Sequence, residues 1–237
     1  MEMTWFGHAT MRVFTFGQTI LVDPVRANAR LETTFKPDQE PKATVVLITS
    51  DKADHCEPET VRLAADVQAR IIAPRGSMKS LLRARRRDAQ YAIAKPEEKF
   101  PVNEHLRIRS LGTPEGYDPG IIYVVESSET VVFLGDALMT PAHWSYAAGD
   151  VKPNVIVYPP HLVRKHKERG EMFRQWVAQF GTVSCIPVHY HSSPHADAVY
   201  FIDQEELPKT VPDGARLELL SNRPLVAKET RRMRRRV

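Results

Sequence analysis

Residues Thr44–Cys56 read TVVLITSDKADHC, an apolar run that empties into a polar turn ending Asp54–His55. Val45–Ile48 is continuously apolar rather than alternating, the pattern of a strand buried on both faces. Pro58 suits a first helical turn and opens a predicted helix over Pro58–Ala69, with Val61, Ala64, Ala65 and Gln68 at helical spacing. Buried strand, polar turn and helix together make one α/β unit. A carboxylate beside an imidazole at the C-terminal end of such a strand is a common placement for a metal or proton-transfer site. An Asp-His pair in a loop also serves as a helix cap, so the pair alone decides nothing.

Apolar runs with strand chemistry recur along the rest of the chain. After Met3–Phe6 they are Thr19–Val22, Arg70–Ala73, Leu106–Leu111, Ile121–Glu126, Thr130–Leu134, Val155–Tyr158, Thr182–Val188 and Arg216–Leu220. Helical patterns fall between them: Met78–Arg87 with Ser77 as its predicted cap, and Glu171–Phe180, which stops at Gly181. Strands dominate the N-terminal third and alternate with helices afterwards. That order predicts a layered α/β domain rather than a bundle or a β-sandwich.

Two more strands end as Thr44–Thr49 does. TVVFLGD (Thr130–Asp136) delivers a glycine and then an aspartate. CIPVHYH (Cys185–His191) ends in His189 and His191. A turn carboxylate or a structural histidine explains each singly. Together, Asp54, His55, Asp136 and His189 supply four nitrogen and oxygen donors of the kind that suits Zn, Mn or Fe.

Composition bounds the alternatives. With 237 residues, 42% hydrophobic and 26% charged, the chain can bury a full core without disulfides, and its two cysteines are expected to stay reduced. No run approaches the roughly 20 apolar residues of a membrane span. No basic segment precedes the first strand, so a cytoplasmic protein is expected. Residues 228–237 (KETRRMRRRV) carry a net charge of +5 against +4 for the whole chain, leaving residues 1–227 near −1. The body is therefore no basic nucleic-acid-binding surface. The domain is expected over 1–227, with 228–237 a disordered tail whose contacts with nucleic acid would be weak and salt-sensitive.

The motifs now add up to a resemblance. Thr4-Trp5-Phe6-Gly7-His8-Ala9, Ile20-Leu21-Val22-Asp23-Pro24, Gly135-Asp136 and Ile186-Pro187-Val188-His189-Tyr190, in that order, resemble the metallo-β-lactamase superfamily. They are most similar to its metal-dependent hydrolase branch, which includes the ascorbate-phosphate lactonases. The resemblance covers roughly residues 3–227 and implies a four-layer αβ/βα sandwich with the site at the sheet edges. The family motif T-H-x-H-x-D-H reads here Thr49-Ser50-Asp51-Lys52-Ala53-Asp54-His55, with Ser50 and Lys52 in place of two histidines. A third histidine implied after Leu106–Leu111 is missing from Gly112-Thr113-Pro114-Glu115. All three losses fall on one metal site. The other survives as Asp54, His55, Asp136 and His189.

The resemblance places His8, Asp23, Ser50 and His191 beside the site, with Asp23 suited to orient a ligand imidazole. Asp51, Asp54 and Asp136 are candidate bases. Lys52 either turns inward beside Asp136 as a point charge in place of an ion, or faces solvent as most lysines do. Cys56 reads as a small buried hydrophobe. Lys79, Arg83, Arg85, Arg86 and Arg87 read as a solvated basic helix face, and His161, Lys165 and His166 lie in a polar segment, Pro159–Arg169, placed to act as a lid. The leading expectation is a hydrolase of a small ester, lactone or phosphoester using one divalent ion, Zn first and Mn or Fe next. A metal-free binding or regulatory domain for a small ligand stands as the alternative, with nucleic-acid processing third.

Overall fold

The structure is a computed structural model that describes residues 1–190, 202, 204–220 and the backbone of 225–226. The expected tail and His191 lie outside the described residues. The first sheet contains β1 (Glu2–Trp5), β2 (Met11–Thr15), β3 (Gln18–Val22), β4 (Ala43–Leu47), β5 (Ala65–Ala73) and β6 (Gln90–Ile93) in that spatial order. The second contains β7 (Glu98–Asn103), β8 (Leu106–Gly112), β9 (Ile121–Glu126), β10 (Thr130–Phe133), β11 (Val155–Tyr158), β12 (Ser184–Pro187) and β13 (Arg216–Leu217). A final strand, β14 (Leu225–Val226), returns to pair with β1. In each sheet an antiparallel meander leads into parallel strands, β3 to β6 in one and β10 to β13 in the other.

Continuous apolar runs are explained by two buried faces on each sheet. Along β4, Val45 and Leu47 point into the core between the sheets, while Val46 points outward with Ile48 just beyond the strand. Along β9, Tyr123 and Val125 point inward and Ile122 and Val124 outward. The outer face of the first sheet is covered by α1 (Pro58–Ala64) and α2 (Arg75–Arg83) through Val61, Ala64, Met78 and Leu81. That of the second is covered by α3 (Pro141–Ala147), α4 (Pro160–Lys165) and α5 (Lys167–Ala178), which bring Trp144, Val163, Phe173 and Trp176. Helix, sheet, sheet, helix is the expected four-layer sandwich, with one apolar core in the middle and one under each helical layer.

The local differences from the sequence reading have physical causes. The helix from Pro58 stops at Ala64, because the chain from Ala65 pairs with β4 as strand β5. Helix α2 begins at Arg75, so Ser77 is a buried residue inside its first turn rather than its cap. The basic residues beyond Arg83 are not a helix face; Arg86 folds back to donate to the Ala65 carbonyl at 2.7 Å. Strand β2 was not singled out, although Met11, Val13 and Thr15 alternate as buried residues with Arg12 and Phe14. Among the described residues no helix is long and apolar enough to cross a membrane.

Candidate metal centre

Five strand ends converge at one edge of the sandwich, outside the C-termini of β1, β3, β4, β10 and β12. They deliver His8, Asp23, the turn Thr49–His55, Asp136 and His189. His8, Asp23 and His189 all hold positive φ values, 46°, 46° and 57°. Left-handed backbone at non-glycine residues costs roughly 1–3 kcal/mol each and gathers at functional sites. Hydrogen bonds hold two of these turns together, with the His189 backbone N–H donating to the His8 carbonyl at 2.7 Å. Gly135 is required just before Asp136: its φ is +58°, and a Cβ there would sit 2.6 Å from Thr49 Oγ1.

The four donors expected from the sequence do come together. Asp136 Oδ1 lies 3.1 Å from His55 Nε2 and 2.9 Å from His189 Nδ1. Asp54 Oδ2 lies 3.2 Å from His189 Nε2 and 3.1 Å from His8 Nε2. The His8 ring stands edge-on to His189, with 4.0 Å between centroids. Asp23 is buried and sets the His55 ring. Its Oδ2 accepts from His55 Nδ1 at 2.8 Å and from Thr49 Oγ1 at 2.6 Å, while its Oδ1 accepts from the Thr49 backbone N–H at 2.7 Å. With Nδ1 so engaged, Nε2 is the atom turned toward Asp136.

Lys52 turns toward Asp136 while remaining exposed. Its Nζ lies 2.9 Å from Asp136 Oδ2 and 2.9 Å from Asp118 Oδ2. Asp118 was not singled out in the sequence, since it sits in an unpatterned loop after β8. Ser50 is buried, but its Oγ accepts from the Lys52 backbone N–H at 3.3 Å rather than meeting the donor cluster. Asp51 falls outside the cluster: it is exposed, and its carboxylate lies against Gly76 in α2. The segment expected as a lid instead forms part of the wall. His161 is buried in α4, and its ring packs behind His189, with Nδ1 3.1 Å from the His189 carbonyl. Cys56 is buried, and burial pushes its thiol up to about 12.

Burial and charge set the protonation of the cluster. Burial of His8 outweighs the pull of Asp54 and lowers its pKa to about 4, and burial lowers His161 to about 3. Burial also opposes charge on His55, yet the Asp23 and Asp136 carboxylates outweigh it and hold this imidazole well above its ordinary value. Burial acts against ionised Asp54 and Asp136 too. The imidazoles of His189 and His8 around Asp54, and of His55 and His189 around Asp136, keep both carboxyls well below their ordinary range. For Lys52 partial burial is outweighed by Asp136 and Asp118, which raise it.

Among the described residues, two triads have donors within 4.8 Å of one another: His55, Asp136 and His189, and His8, Asp54 and His189. Buried imidazoles and carboxylates this close fit a borderline divalent cation, since Zn, Mn and Fe all take that donor set. A cavity of about 530 Å³, between Val25–Leu31 and Ala53–Glu57, opens onto Asp54. That volume is of the size that takes a small molecule.

Comparison with known proteins agrees with this fold. The sequence model of the β-lactamase superfamily domain matches residues 2–169. A UPF0173 metal-dependent hydrolase of Geobacillus is 35% identical over 75 residues, a match that spans 31% of this chain and 31% of that protein. A UPF0173 protein of Pyrococcus furiosus is 26% identical over 218 residues, covering 88% of this chain and 91% of that one. Among solved structures, Igni18, a metallo hydrolase from the archaeon Ignicoccus hospitalis, superposes with a TM-score of 0.67 at 18% identity, over 94% of this chain and 97% of that one; at this identity the likeness is one of fold. The two-sheet sandwich with its histidine-aspartate edge defines a metallo-β-lactamase-fold protein. The chain belongs to the metallo-β-lactamase superfamily.

Proposed function

We propose that the protein is a metal-dependent hydrolase that uses one divalent ion held by His55, Asp136 and His189, with Asp54 beside them on the opposite ring nitrogen of His189. The observation that carries this reading is the convergence of donors from three separate strand ends, with N···O separations of 2.9–3.2 Å linking His189 to both carboxylates and His55 to Asp136. The hydrolase names of the Geobacillus and Ignicoccus proteins support it. When bound, the ion supplies Lewis-acid polarisation of the substrate oxygen and of water. Zinc is the first candidate, with manganese or iron next.

The chain's own residues do the rest. Asp23 and Thr49 hold the His55 ring in the orientation that offers Nε2. Asp54 faces the cavity and is the proposed acceptor for the proton of the attacking water. Asp51 faces α2 and is not assigned that role. His8, kept neutral by burial, fixes Asp54 through its Nε2. The substrate is proposed to be a small ester, lactone or phosphoester, in keeping with the cavity volume.

The test is a hydrolysis screen of lactones, phosphoesters and carboxylic esters on protein reloaded with Zn, Mn or Fe, run beside Asp136→Ala and Asp54→Asn. Turnover of one class that disappears in both variants is expected. Tight binding of a small ligand without turnover by any metal form would instead favour a binding domain on this fold.

A further inference from the structure

Asp136 divides its two oxygens between different partners. Oδ1 faces His55 and His189 within the donor cluster, and Oδ2 takes the Lys52 ammonium. The second carboxylate on that ammonium, Asp118, arrives from a different loop. Its own side chain is exposed, but the loop presenting it is braced. Arg169 donates to the Gly116 carbonyl at 2.9 Å, and its guanidinium lies 4.6 Å from the Tyr117 ring centroid. Thr113 Oγ1 donates to the Asp118 carbonyl at 3.1 Å, and the Ile121 backbone N–H donates to the Thr49 carbonyl at 2.8 Å.

Two carboxylates from separate loops that meet at one point make a seat for a cation. Here the chain supplies the cation itself. We propose that Lys52, braced by Asp118, fills a cation seat beside the metal donor cluster and thereby limits the protein to a single divalent ion. An ammonium has three donors and no acceptor, so it satisfies both carboxylates but offers no coordination. A divalent ion on Asp136 Oδ2 has to displace it or sit beside a like charge within a few ångströms. Lys52 is a positioning residue in this arrangement: by occupying Oδ2 it leaves Oδ1 as the oxygen offered to the donor cluster.

This inference rests on the metal-binding reading above, and one experiment separates the two. Chelator-stripped full-length protein, Lys52→Ala and Lys52→Arg are titrated with zinc and, separately, with manganese, and native mass spectrometry counts ions per chain. Circular dichroism checks the fold of each. Wild type and Lys52→Arg are expected to saturate at one ion, and Lys52→Ala to gain a second, weaker one. If Lys52→Ala stays at one ion while folded, or wild type takes two, the cation-seat inference is overturned and the hydrolase reading stands. If no form binds any ion, the hydrolase reading fails and this inference with it. Should Lys52→Ala not fold, Lys52→Met, which keeps the stem and removes the charge, carries the same expectation.

Discussion

His55 Nδ1 lies 2.8 Å from Asp23 Oδ2, both residues fully enclosed, although 32 positions separate them in the chain. The contact decides which nitrogen of His55 is available to the cluster. Asp23→Asn keeps the shape and removes the charge. It is expected to weaken zinc binding roughly 10–100-fold while leaving the fold intact, as loss of a carboxylate behind a ligating histidine does. Competition against a chromophoric chelator measures this; an unchanged affinity would show that His55 does not ligate through Nε2.

Gly135→Ala tests the tight turn that delivers Asp136. A Cβ at φ +58° would press on Thr49 Oγ1, the same hydroxyl that bonds Asp23. The combined backbone and overlap cost is expected to be at least roughly 2 kcal/mol, read from urea denaturation. Zinc affinity should fall in parallel, because Thr49 and Asp136 are displaced together. A stable variant with normal affinity would mean that the turn relaxes without moving the site.

The metal-free protein should show a stability maximum near pH 6.5. His55 is held above its ordinary pKa, so its contribution is fully present below about 6.5, the unfolded value, and is lost as pH rises through the folded one. His8 and His161 behave oppositely. Their folded values, about 4 and about 3, lie below the unfolded one, so the unfolded chain takes up more protons and stability falls as pH drops from 6.5 toward 4. Asp54 and Asp136, held ionised, add a further loss below about pH 4. Thermal melts in chelator across pH 4–9 check this, and a monotonic rise from acid to alkaline pH would contradict it.

The legible and illegible parts of the sequence differ for physical reasons. Asp54, His55, Asp136 and His189 could be read because each closes an apolar run, and a strand end places its next residues at the sheet edge whatever the loops do. The direction of Lys52 could not be read, because it depends on Asp118 and Asp136, whose positions relative to it are set by the second sheet. The wall role of His161 was hidden in a polar stretch whose short helix is fixed by burial of Pro160 and Val163. In the fold, β5 was partly mistaken for helix because Leu63-Ala64-Ala65 continues a helical pattern, and only pairing with β4 overrides it. Strands β6 and β7 are sheet edges with few buried residues and, in β7, Pro101; such strands carry little apolar pattern to read.

Binding of a single divalent ion is tested most simply by metal content. Tag-free protein purified without chelator is analysed by inductively coupled plasma mass spectrometry beside Asp136→Ala/His189→Ala. About one equivalent of zinc, manganese or iron per chain is expected in the wild type and essentially none in the double variant. Absence of metal in the wild type, even after incubation with excess zinc and manganese, would contradict it.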